Sequence, residues 1–333
     1  MSLFKKPYER EAKTTLNVLI YGRPGIGKTT LACSADGVFL FDFDRGIDRV
    51  EAQYQAQNIY EPTQWEDLQL AVGELAQTPA AKVIVVDTIG KLLDLAVDYV
   101  RRTRPNLIQN DGTPSVKGYG YRNQLFKEFL SSLNAIGRSV VFVSHEVEEK
   151  QKINREEITT MRPNITGSNR NEIIQDLDML GYMQIVNGQR TITFDQNENI
   201  LAKNSRGIHG QWNATMHQYN PIVIPMLDGK AANTFMQDVV FGGNADFLAK
   251  RREEMENYGE VMAVIEEMIN GCEDVDCMNE IVDKISAPTF CHIFDSKARA
   301  ISMITKKRKQ LGFVLNEKTK RYEKVQDKSV AAE

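Results

Sequence analysis

Residues 22–29 read Gly-Arg-Pro-Gly-Ile-Gly-Lys-Thr, directly after the apolar run LNVLIY and directly before a segment able to form a helix. This pattern, GxxxxGK[ST], constrains the fold more than any other feature of the chain. Its glycines let successive backbone N–H groups turn inward around phosphate oxygens. Lys28 is expected to reach the outer phosphates of a nucleoside triphosphate, and Thr29 to hold Mg²⁺, with the start of the helix adding its dipole. Gly22, Arg23, Pro24, Gly25, Ile26, Gly27, Lys28, Thr29 and Thr30 are therefore the expected nucleotide contacts, and ATP and Mg²⁺ the expected cofactors.

The loop opens a regular alternation. After a helix over Lys28 to Ala35, the runs VFLFDF (38–43), KVIVVDT (82–88) and SVVFVS (139–144) read as buried strands. Helical patterns separate them, one of them introduced by a capping box of Thr63 and Glu66. Strands alternating with helices predict a parallel sheet covered on both faces. Past residue 178 the rhythm changes. LGYMQIV and QRTITF, joined by Asn187-Gly188, predict an antiparallel hairpin with a type I′ turn, and NILAKNSRG a further short strand. Gly242-Gly243-Asn244 reads as a hinge before helical segments. The expected organisation is a tail over 1–14, an α/β core over 15–241, a helical module over 245–325 ending in a small hairpin, and a tail over 326–333.

Other classes are disfavoured. No run of eighteen or more apolar residues occurs in the 333, so no membrane span is expected. The charged opening MSLFKKPYEREAK is not expected to be a secretory leader. The four cysteines, Cys33, Cys272, Cys277 and Cys291, fit a reducing, cytoplasmic setting, and their spacing with His292 matches no common zinc pattern. Net charge is −4, but unevenly spread. Residues 246–284 hold twelve acids against four bases, and 299–324 nine bases against two acids. Such a split suggests a separate C-terminal module facing an acidic partner or nucleic acid.

Within the core, the polar residues that follow apolar strands are the candidates for chemistry. Asp87 ends VIVVD and is the expected Mg²⁺ carboxylate, the alternative being a strand-end cap. Asp42 and Asp44 lie two apart, on one face of their strand. Asp44 is the nearer to the carboxyl edge, where open α/β sheets bind ligands. His145 follows VVFVS on the same edge, placed either to sense a terminal phosphate or as a satisfied structural histidine.

VFLFDFD, VIVVDT and VVFVSH, in that order after the phosphate loop, resemble the core of RecA-type recombinases. The likeness runs from about Leu16 to Gly207. Closer still is the likeness to phage RecA-like nucleotide-binding proteins associated with single-strand annealing, which carry a Gly-Tyr-Gly stretch before a helix, here Gly118-Tyr119-Gly120, and a His at the sensor position, here His145. The resemblance implies that Asp44 is the catalytic carboxylate, one methylene shorter than a Glu. It implies that Lys203 and Arg206 face the phosphates of a neighbouring copy in a ring or filament, although two solvated surface bases would read the same. The implied activity is ATP hydrolysis, slow and DNA-stimulated.

Recombinases hold DNA on two loops, here about 98–122 and 146–168. The first carries Arg101, Arg102, Arg104, Lys117 and Arg122 against two acids, interleaved with Tyr99, Tyr119 and Tyr121. Cations for phosphates and rings for unpaired bases suit single-stranded DNA. A solvated loop that binds nothing remains the alternative. The second stretch is of mixed charge and makes a weaker case. The reading is a phage RecA-like ATPase acting in the cytoplasm of a bacterial host, with single-stranded DNA, further copies of itself and a single-strand binding protein as partners. The rivals are a ParA-type partition ATPase and a nucleotide-dependent scaffold with little hydrolysis. Enzymes of the AAA type fit less well, because Thr88 rather than a glutamate follows Asp87.

Overall fold

The computed structural model describes residues 12–56, 58–153, 156–166, 170–225 and 233–324. The elements, in order, are β1 (Asn17–Gly22), α1 (Lys28–Ala32), β2 (Val38–Asp42), β3 (Asn58–Tyr60), α2 (Trp65–Ala76), β4 (Val83–Asp87), α3 (Ile89–Thr103), α4 (Val116–Ala135), β5 (Ser139–Ile153), β6 (Glu156–Pro163) and α5 (Arg170–Gln175). There follow β7 (Met179–Val186), β8 (Gln189–Thr193), β9 (Lys203–Asn204), β10 (Trp212–Asn213), β11 (Gln218–Tyr219) and β12 (Ile222–Val223). The last are α6 (Gly242–Asn270), α7 (Val275–Ser286), α8 (Ser296–Gln310), β13 (Phe313–Leu315) and β14 (Tyr322–Lys324). Two compact units divide them, Lys13–Phe247 and a second from Leu248 onward. No helix among the described residues is long and apolar enough to cross a membrane.

The first unit is built on a mixed sheet in the order β12-β8-β7-β1-β5-β4-β2-β3. The strands from β7 to β3 run parallel, and β8 and β12 close one side antiparallel. Period-two alternation splits each central strand between two cores. Leu19 and Tyr21 of β1, with Ile84 and Val86 of β4, face Leu68, Leu92 and Phe126 of the helices α2–α4. Val18, Ile20, Val83 and Val85 face Leu31 of α1 and Phe194. Strands apolar on both faces are what a sheet buried on both sides requires. The second unit packs α6–α8 around Met262, Ile265, Met278, Ile281 and Ile304, with the β13–β14 hairpin closing on Phe313.

Several local expectations are corrected. Helix α1 stops at Ala32 rather than Ala35, because the buried Ser34 hydroxyl donates to Leu31 O at 2.6 Å and accepts from Met236 N at 2.9 Å. Gln64 and Asp67, not Thr63 and Glu66, form the capping box of α2. The Gly-Tyr-Gly stretch lies inside the first turns of α4, not ahead of it. The stretch expected as a second loop is a hairpin: β5 runs on past the sheet and pairs with β6 from Glu146↔Pro163 to Ile153↔Glu156. The strand read in NILAKNSRG shrinks to the two residues of β9. Gly242-Gly243-Asn244 is helical, forming the start of α6 rather than a loop; a Cβ on Gly243 would stand 3.3 Å from Ile208, so packing accounts for that glycine.

Gly118 has a similar role. A Cβ there would meet Leu107 O at 2.5 Å, whereas nothing lies within 4 Å of one on Gly120. Gly118→Ala is expected to destabilise the first unit by about 1–3 kcal/mol, and Gly120→Ala to leave it unchanged or raise it by up to about 1 kcal/mol. Urea unfolding followed by tryptophan fluorescence measures both, because Trp65 and Trp212 both lie in this unit.

Candidate nucleotide site

Parallel register brings the site together. Gly22 aligns with His145, and Asp42 with Asp87, so the ends of β1, β4 and β2 lie side by side with His145 of β5 at the carboxyl edge of the sheet. The chain leaves β1 through the phosphate loop, in which Gly25 and Gly27 adopt φ of 76° and 98°. Side chains other than glycine rarely occupy that region.

Lys28 is only 6 % exposed. Its ammonium donates to Gly22 O at 3.0 Å and Arg23 O at 2.8 Å, and burial holds its pKa below the ordinary lysine value. Thr29 donates its hydroxyl proton to Asp87 Oδ2 at 2.5 Å. Asp87 is 4 % exposed, and burial pushes its carboxyl upward, against the pull of the Thr29 hydrogen bond. A Cβ on Gly46 would stand 3.0 Å from Asp87 Oδ2, so the backbone after β2 closes over this pair. A half-buried hydroxyl in contact with a buried carboxylate, beside a buried lysine, is the donor set a hard cation between phosphate and protein needs. The residues fit Mg²⁺ and a triphosphate.

Asp42 and Asp44 separate clearly. Asp42 accepts from Asp44 N at 3.2 Å, Gly46 N at 2.9 Å and Ile47 N at 2.9 Å, and so is consumed in capping the following turn. The Asp44 carboxylate makes no hydrogen bond or ion pair among the described residues, and its charge acts on both Asp87 and His145. His145 Nδ1 is buried without a hydrogen-bond partner among the described residues. Burial, and after it Lys28, hold the His145 pKa below its usual value, which favours the neutral ring. Arg23 reaches Glu146 at 3.2 Å, tying the loop to the base of the β5–β6 hairpin.

Lys203 and Arg206 lie elsewhere in the same chain. Lys203 pairs with Leu180, which aligns with Leu19 in the amino-terminal half of β1, and its ammonium caps Gln175 O at 3.0 Å and Leu177 O at 2.5 Å. Arg206 contacts Asp178 at 3.5 Å and lies over the Phe247 ring. Neither reaches the phosphate loop of its own chain.

The expected DNA residues divide three ways. Arg101 is paired with Asp98 and Gly112 O, and Arg102 with Glu66 at 2.9 Å. Arg104 stacks over Tyr121 at 5.4 Å, and Lys117 is exposed. Arg122 is corrected: it is 0 % exposed, bonded to Thr166 O at 2.8 Å and Asn123 Oδ1 at 2.8 Å, with the Tyr119 ring 4.9 Å away. That guanidinium holds α4 to the segment after β6 and is closed off from any surface ligand. Sequence reasoning missed Arg190, whose Nε donates to Ile26 O of the loop at 3.1 Å. It stands 164 residues from Ile26, and only the position of β8 in the sheet brings the two together.

The profile of the family described as AAA domain matches residues 14–206, more than half the chain, and the protein belongs to that family. Its first unit is an AAA-type P-loop ATPase domain, a class that generally binds ATP and Mg²⁺. The expectation that AAA-type enzymes fit less well is thereby overturned: Thr88 after Asp87 does not exclude the family. No curated protein matches the chain.

The two aspartates give opposite expectations. Asp42→Ala strands three backbone donors and is expected to destabilise the first unit by about 2 kcal/mol or more. Asp44→Ala is expected to stay within about 0.5 kcal/mol of the parent. Urea midpoints of the two variants check this.

Proposed function

We propose that the protein is an ATP-binding, Mg²⁺-dependent RecA-like ATPase of phage recombination type, which assembles with copies of itself and binds single-stranded DNA. The observation that carries the reading is the convergence of Lys28, Thr29–Asp87, the unengaged Asp44 and the unpartnered His145 on one sheet edge. Lys28 exchanges its two loop carbonyls for phosphate oxygens. Mg²⁺ on Thr29 and Asp87 offsets phosphate charge when bound. Asp44 takes the proton of the attacking water as the bond to the terminal phosphate breaks, leaving ADP and phosphate. The neutral His145 donates a hydrogen bond to the terminal phosphate and lies next to Glu146, the partner of Arg23. Lys203 and Arg206, remote from their own loop, complete the site of a neighbouring copy, where a cation facing phosphate in a water-poor interface is worth more than in water.

Arg104, Lys117, Tyr119 and Tyr121 support single-strand binding through cations and rings on one segment. A second reading, a nucleotide-dependent scaffold with slow turnover, is favoured by the pairing of Arg101 and Arg102 with acids and the enclosure of Arg122.

Lys28→Ala is expected to abolish ATP binding in a calorimetric titration. Asp44→Asn is expected to keep ATP affinity and lose turnover by about a hundredfold or more. Wild-type turnover per molecule should rise with protein concentration and with added single-stranded oligonucleotide. A response flat to both leaves the scaffold reading, and undiminished affinity in Lys28→Ala removes both.

A further inference from the structure

In the second unit, α7, α8 and the β13–β14 hairpin line a groove of about 230 Å³. Its floor carries the core of that unit outward to the surface. On α8, Ile304 is buried, while Ile301, one turn before it on the same face, is 55 % exposed. On β13, Phe313 enters the core, while Leu315, two residues on and on the same face, is 42 % exposed. Val282 and Ile285 of α7 complete the apolar lining. Two cations border it: Lys297, one turn before Ile301 on α8, and Lys320, from the turn of the hairpin. No carboxylate lines the groove, and neither lysine has one within ion-pair distance among the described residues. Asp283, which follows Val282 in sequence, is engaged by Arg321 at 2.7 Å. Arg308 lies 5.8 Å over the ring of Tyr322, another lining residue, and adds a further positive charge.

We propose that this groove docks a short acidic segment of a partner protein. One apolar side chain of that segment packs on Ile301 and Leu315, and its carboxylates meet Lys297 and Lys320. The proposal is independent of the nucleotide site. Two arguments select the occupant. The volume is below that of sites that enclose small organic ligands, and suits a side chain rather than a cofactor. The surface also combines an apolar centre with unopposed positive charge at its border, and complementary charge sets which partner such a surface accepts. Nucleic acid would satisfy the two lysines but leave Ile301 and Leu315 without an aliphatic partner. An acidic segment with one leucine satisfies both.

The experiment follows binding of the full chain to a fluorescein-labelled decapeptide of Asp and Glu around one central Leu, by fluorescence anisotropy. A matched peptide with Ser in place of Leu and a labelled ten-nucleotide oligothymidine are the comparisons. The Leu peptide is expected to bind about fivefold or more tighter than the Ser peptide. Ile301→Ser, at an exposed site that tolerates a polar side chain, should reduce that preference to about twofold. Reversing both lysines, Lys297→Glu with Lys320→Glu, should weaken the Leu peptide by about tenfold at low salt and flatten its salt dependence. Circular dichroism verifies that both variants fold. A wild-type chain that binds neither peptide, or both alike, overturns the proposal. So does a folded Ile301→Ser chain with an undiminished preference. An oligonucleotide that binds as tightly as the Leu peptide, and is lost in the lysine reversal, overturns it in favour of nucleic acid. A self-associated species in sedimentation that Ile301→Ser dissociates, with no peptide bound, overturns it in favour of a second copy.

Discussion

Burial of charge at the carboxyl ends of the central strands is the constraint on which the site depends. Lys28, Asp42 and Asp87 are each less than a tenth exposed, and a buried charge without partners costs several kcal/mol. Each is answered differently. Asp42 receives three backbone amides and becomes part of the fold. Lys28 has two carbonyls, partners a phosphate can replace. Asp87 has one hydroxyl, and burial raises its pKa despite that bond. Among the three, the least compensated carboxylate is thus the one beside the phosphate loop. A divalent cation there would offset part of the cost of burying that carboxylate.

That arrangement is possible only because the strands are parallel and in register. A shift of one residue between β2 and β4 would turn Asp42 or Asp87 to the other face and into an apolar core. The apolar residues that precede each aspartate therefore do two things at once. They hold the sheet between its two helical layers, and they bring the final carboxylate level with its neighbour.

Much of this was legible because it is local. The phosphate loop follows from its glycine and lysine spacing, the positions of Asp87 and His145 from the apolar runs before them, and the Asn187-Gly188 turn from a dipeptide preference. The choice between Asp42 and Asp44 was open, since both lie on one face; three amides donated by the next turn separate them, and no spacing rule counts those. The other misses share one cause. Arg122 looks like a free cation until Thr166, 44 residues on, supplies its partner. The β5–β6 hairpin reads as a loop because a ribbon beyond the sheet has little core face, so its strands lack apolar alternation. Gly243 reads as a hinge because its neighbour Ile208 is invisible in the local sequence. Charge counts and glycine counts record composition, whereas long-range packing decides what each residue does.

The same distinction runs through the site itself. Asp42 and Asp87 end adjacent paired strands and His145 lies on the strand beside them, where ladder hydrogen bonds fix position and rigid support favours chemistry. The cleft beside the phosphate loop takes its walls from the turn holding Arg49 and Tyr54, from the flanking strand with Arg190, and from the segment around Asn233. Connecting segments carry fewer constraints on sequence than central strands, and binding specificity is commonly placed on them. Substitution in those walls would leave the buried charges of Lys28, Asp42 and Asp87 and the strands that carry them as they are.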